Sequence, residues 1–220
     1  MAAITYPIAL ADFFTDLGTV SVSFDLSDAL ETNENGGGEI FTSAYGPRLW
    51  YGDIEVRPHP HVEMDAVMVE IDALFEADAS FFVSIGDREG TIADLDGSAY
   101  GAATPAIAGF NGSTMRELDL SGLPANYVIS KGDYLSFEYS SSPTRYAFHR
   151  VTSGGTANGS GALNGIDVQP RLRTGIATSD PVSMAPAFLK AKAIPGSKLP
   201  PRRNAVISTG PSFSWRQTLR

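Results

Sequence analysis

Cysteine is absent from the 220-residue sequence. Disulfides and thiolate metal sites are therefore excluded, and cysteine usage says nothing about redox compartment. Long apolar runs are also missing: no stretch approaches the roughly 18 residues of a membrane span. The N-terminus has no basic segment leading into an apolar run of signal-peptide length, so the expectation is a soluble chain without a visible address. No repeat of fixed period is present, which argues against solenoids and propellers. Histidine is scarce at three residues, and no serine sits in a Gly-x-Ser-x-Gly context between a strand and a helix, so a Ser-His-acid triad is not expected.

Charge is present but sorted along the chain. The net charge is -9; residues 1 to 89 hold 17 acidic and 3 basic side chains, residues 90 to 184 hold 8 and 6, and residues 185 to 220 hold 0 and 7. A polyanion would be repelled by most of this chain, which argues against nonspecific nucleic-acid binding. The acidic first part and the basic tail can complement each other, within a subunit or between neighbours in a ring. The plainer alternative is a solvated acidic face beside a basic C-terminal strand.

Most of the sequence reads as strand and loop. Thr19 to Leu26 alternates Val20, Val22, Phe24 and Leu26 against polar residues, the period of two of a half-buried strand. Glu31 to Gly38 reads as a mobile loop, with Asn35-Gly36-Gly37-Gly38 as a hairpin connection. Strands are expected over Glu39 to Ala44, Arg48 to Arg57, Ser80 to Ile85, Ala187 to Ile194 and Ser212 to Leu219. Five or six short strands between Gly86 and Met184 suit a small closed barrel.

One amphipathic helix is expected, from Val62 to Ala77. Met64, Val67, Met68, Ile71, Leu74 and Phe75 form a stripe for packing on a core. A second row, Val62, Ala66, Val69 and Ala73, gives the helix more apolar face than one sheet needs and is expected to meet a neighbouring subunit.

Candidate chemistry is thin. His59 and His61 alternate in an extended segment beside Glu63 and Asp65, but a zinc site needs a further ligand and Pro-His-Pro-His also serves as a polar entry to the helix. Asp94 and Asp96 are a carboxylate pair by number alone; a glycosidase needs a set separation in a cleft. Neither a metal nor a cofactor is expected, nor is catalysis. Tyr45, Trp50 and Tyr51, or Tyr134, Tyr139 and Tyr146, suggest a sugar-stacking platform in a carbohydrate-binding module, against the commoner use of such residues as core anchors.

The order of several short motifs carries a resemblance. Gly46-x-Arg48-Leu49-Trp50-x-Gly52 precedes the acidic helix and Ser80-Phe81-Phe82-Val83. Leu123-Pro124, Lys131-Gly132-Asp133-Tyr134-Leu135, His149-Arg150-Val151 and Pro170-Arg171-Leu172-Arg173 follow. Over residues 40 to 190 this order resembles the distal tail proteins, or related minor tail proteins, of long non-contractile-tailed bacteriophages.

The resemblance implies a mainly β chain: a β-sandwich or split-barrel domain with one helix, formed by residues 1-85 and 185-220, and an inserted small barrel of oligonucleotide/oligosaccharide-binding type over 86-184. It also implies a homohexameric ring at the virion tail tip, between the tail-tube protein and the baseplate hub, with DNA passing through the lumen without specific binding. The basic, proline-rich stretch Pro195 to Arg203 has no counterpart in that pattern.

Overall fold

The computed structural model describes residues 4–14, 17, 19–86 and 88–219. The chain is mainly β, with curled antiparallel sheets and, among the described residues, one α-helix. In the first sheet the spatial order is Thr19–Val22, Trp50–Val56, Ser212–Gln217, Phe188–Ala193 and Phe81–Ser84, with Asp25–Leu26 also paired to Trp50–Val56. Alternation builds its core: Trp50, Ile54 and Val56 from one strand, and Phe213 and Trp215 from the next, all point inward and are buried.

The second sheet runs Val182–Ser183, Tyr134–Ser141, Thr144–Ser153, Leu163–Gln169, Glu117–Ser121 and Ala106–Phe110. Its two edges meet. Ala106 bridges Pro181, Val182 N–H donates to the Pro105 carbonyl at 2.8 Å, and Ile107 N–H to the Asp180 carbonyl at 3.0 Å. Those bonds curl the sheet into a small barrel and leave no long free edge. Ile107, Leu118, Leu120, Leu135, Phe137, Ile166 and Val168 fill it.

The helix spans His61–Ala73 and ends four residues before its apolar pattern suggests. Leu74, Phe75 and Glu76 instead donate to carbonyls three residues back, a tightening that turns the chain toward Phe81–Ser84. Leu74 stays buried and Phe75 half-buried, so the stripe reaches the core although the helix has ended. Pro60 caps the start with extended backbone and Glu63 occupies the first turn, where a carboxylate suits the helix dipole.

Two further expectations change. The Thr19 to Leu26 strand is broken at Ser23 and Phe24, because Ser23 is pressed against the neighbouring strand at Gly52. Glu31 to Gly38 is not all loop: Leu30–Glu34 is a strand paired in register with Ile40–Ala44, and only the residues between them turn. Asn35 closes that turn, its side-chain oxygen accepting the Gly37 and Glu39 N–H groups at 2.9 and 3.0 Å.

The basic tail has a place as well. Arg202–Arg203 pairs with Ile207–Thr209, which pairs with His59–Pro60 at the helix entry. From there Lys198 reaches Asp72 at 2.5 Å and Arg203 pairs with Asp65. At these two contacts the acidic and basic segments of the sequence meet within one subunit.

Candidate interaction surfaces

Arg48, Leu49, Trp50 and Gly52 tie the strand Trp50–Val56 to its neighbours, and Trp50 reaches across to the second sheet. Arg48 Nε donates to the Ser27 carbonyl at 2.8 Å, and its terminal nitrogen to the Leu26 carbonyl at 3.3 Å. Leu49 N–H donates to Ser27 Oγ at 2.9 Å. Together these bonds hold the turn that follows Asp25–Leu26. Trp50 is fully buried; its indole N–H donates to the Phe148 carbonyl at 2.9 Å, linking the first core to the second sheet. Gly52 is required by proximity: a Cβ there would lie 1.8 Å from the Ser23 carbonyl oxygen. Trp50 therefore has no face open to a sugar. Of the other aromatics considered, Tyr139 is buried and Tyr45 is exposed.

The two histidine candidates take separate partners. His59 Nδ1 lies 3.4 Å from Glu63, whereas His61 Nδ1 lies 2.8 Å from Ser208 Oγ. Among the described residues no group of three or more His, Cys, Asp or Glu side chains is placed to hold a metal ion. Asp94 is buried and accepts the Ala99 and Tyr100 N–H groups at 3.0 and 2.8 Å and the Tyr127 hydroxyl at 3.3 Å, a loop-fixing role. Burial pushes Tyr127 up to about 12. Asp96 is exposed, lies beside Asp94 and accepts the Ser98 N–H at 3.1 Å, so the pair fixes one loop. His149 is buried, stacked on Phe137, and bonded through Nδ1 to the Pro170 carbonyl at 2.8 Å; desolvation pulls its pKa down to about 4.

Among the described residues, three surfaces bear on partner binding. The first is the outward row of the helix. Val62 and Val69 are 83% and 66% exposed, and Ala66 is exposed. Ala73 leaves that row: it is buried where the Tyr6 hydroxyl donates to its carbonyl at 2.8 Å, placing the N-terminal segment over the end of the helix.

The second surface is the ribbon Leu30–Glu34 with Ile40–Ala44. Every one of its strand residues is exposed, including Leu30, Ile40 and Phe41. Glu31, Glu34 and Glu39 make it acidic; the segment 30–44 has no lysine or arginine. An isolated two-stranded hairpin is at best marginal in water, and both of its edges offer unpaired backbone groups.

The third is a cleft of about 530 Å³ at the root of that ribbon, lined by Arg48, Arg116, Arg171 and Arg173 with Asp28 and Asp167. Buried Leu172 donates its N–H to the Met115 carbonyl at 2.7 Å. Of the residues flanking that anchor, Arg171 is exposed and Arg173 half-buried. Arg48 pairs with Asp28 at 3.5 Å and Arg173 donates to the Arg48 carbonyl at 3.2 Å. Burial lowers the pKa of Arg173. Among the described residues the Arg116 and Arg171 side chains have no carboxylate partner.

Sequence reasoning placed the second strand and the turn of the ribbon but missed its first strand, Leu30–Glu34, and it missed the cleft. The alternation Leu30-Glu31-Thr32-Asn33-Glu34 before Asn35-Gly36 was an available signal for the first. For the cleft, no local pattern joins Arg48, Arg116 and Arg171. No family model and no curated protein matches the chain.

Proposed function

We propose that this chain is a distal tail protein, a structural subunit of the tail tip of a long non-contractile-tailed bacteriophage. It assembles as a hexameric ring joining the tail tube to the baseplate hub, and its work is geometric, with no catalytic step. The observation that carries the reading is the fully exposed ribbon, Leu30–Glu34 with Ile40–Ala44. A pairing-competent, apolar ribbon outside any core is expected to be buried by another chain. The exposed Val62, Ala66 and Val69 row adds a second adhesive face, and the motif order of residues 40 to 190 names the assembly. Net charge of -9 suits a lumen along which DNA slides without sticking.

Sedimentation of the purified protein, alone and with the tail-tube protein of the same virion, tests this. Hexamers or mixed rings are expected; a strictly monomeric species in both samples overturns it. Val69→Lys is expected to weaken the ring and leave the monomer folded, because the side chain is exposed. Unfolding of that variant would instead make the row part of the subunit's own core.

A further inference from the structure

We propose that the acidic tip of the Leu30–Ala44 ribbon of one copy seats in the arginine cleft of a second copy. The inference deepens the ring reading by naming its contact, and it rests on that reading only for the number of copies joined.

Charge selects the occupant. Glu31, Glu34 and Glu39 have no basic partner among the described residues, Glu39 holding only the Asn35 amide at 3.4 Å. By contrast the carboxylates of the helix are engaged by the chain's own groups: Asp65 by Arg203, Asp72 by Lys198 and Glu63 by His59. The ribbon thus carries three carboxylates with no basic residue among them. The cleft has the opposite balance: four guanidiniums face two carboxylates, and one of those, Asp28, is paired with Arg48. Guanidinium forks match carboxylates in two-point geometry, and a cleft excludes more water than an open surface, so this match gives register as well as attraction.

Geometry forbids the ribbon from filling its own cleft. Leu30 and Ala44, at the root of the ribbon, line the cleft wall. Five residues of extended chain then carry the tip about 17 Å away. Tip and cleft are separate surfaces of one molecule, so a tip-to-cleft contact between copies is either reciprocal, in a closed pair, or head-to-tail. Head-to-tail contacts propagate, and they close into a ring when the rotation between copies permits. The apolar side chains of Leu30, Ile40 and Phe41 are covered by the same contact.

A cysteine-free chain makes the test clean. Gly36, at the tip, has open space around an added Cβ, and Thr152 lines the cleft. The double variant Gly36→Cys/Thr152→Cys, treated with a short bis-maleimide alone and with tail-tube protein, is expected to give covalent multimers absent from either single variant. Arg116→Glu/Arg171→Glu should reduce their yield roughly tenfold or more. Adding Glu34→Lys/Glu39→Lys to the same chain should restore it. Apart from half-buried Thr152 these substitutions lie at exposed positions, and an unchanged unfolding midpoint confirms a folded monomer.

No cross-linking beyond the single variants overturns the contact. If rings sediment normally in that sample, the ring reading survives and the tip-to-cleft contact alone has failed. Cross-linked closed pairs with no larger species have the opposite meaning: the contact holds and the ring reading fails.

Discussion

Tyr134–Ser153 and Leu30–Ala44 are both antiparallel hairpins of the same chain, with opposite relations to water. The first places Leu135, Phe137, Tyr139, Phe148 and Val151 in cores. Among the strand residues of the second, none is buried. Apolar content does not separate them, since the ribbon carries Leu30, Ile40 and Phe41, the last two 68% and 57% exposed. Neighbours do. The packed hairpin has Val182–Ser183 on one edge and Leu163–Gln169 on the other, whereas among the described residues the strands of the ribbon pair only with each other. Backbone pairing makes a hairpin; burial against further elements makes it part of a stable body.

The largest expected effect lies where the packed hairpin meets the first sheet. Trp50→Ala should destabilise the subunit by about 3–5 kcal/mol, because it opens a large cavity and leaves the Phe148 carbonyl without its donor. Denaturant unfolding followed by far-UV circular dichroism measures this. A loss below about 1 kcal/mol would break the comparison, since the seam would then contribute no more than a surface contact.

A smaller effect is chemical and again confined to the packed hairpin. His149 is held neutral, with its pKa near 4 against 6.5 ordinarily, chiefly by burial; the charge of Arg173 acts in the same direction and the bond to the Pro170 carbonyl against it. Below about pH 6.5 the unfolded chain takes up a proton that the folded chain refuses. Stability conferred by this group is therefore complete above that pH and lost as pH falls toward 4, by roughly 3 kcal/mol over the window. Unfolding midpoints between pH 7 and pH 4 should fall more steeply for the native chain than for His149→Phe, which keeps the stack on Phe137. Equal slopes would remove His149 as the cause.

The contrast between the hairpins also marks what was legible in the sequence. Ser212–Gln217 and Trp50–Val56 alternate in sequence as they do in space, since a strand with one face on a core must do so. The helix was legible from its stripe, but its end was not: the pattern continues through Leu74 and Phe75 while the backbone turns to reach Phe81. Ala73 read as outward because helical spacing ignores a covering segment contributed by Tyr6. The ribbon was half legible: polar residues with an Asn-Gly turn read as loop because burial is what normally betrays a strand, and here there is none. The arginine cleft joins residues 48, 116 and 171, brought together only by the meeting of two sheets.

The smallest expected effect on the subunit is the sharpest test of the contrast. Phe41 and Phe148 are the same residue type on paired strands, one 57% and the other 1% exposed. Phe148→Ala should cost several kcal/mol by creating a cavity, whereas Phe41→Ala should leave the unfolding midpoint of the isolated subunit within about 0.5 kcal/mol. Its effect should appear instead in the assembled state, as weaker self-association by sedimentation, because its ring is covered only when another copy lies on the ribbon. A Phe41→Ala subunit that is strongly destabilised while still monomeric would mean that the ribbon already has a core within its own chain, and the distinction between the two hairpins would collapse.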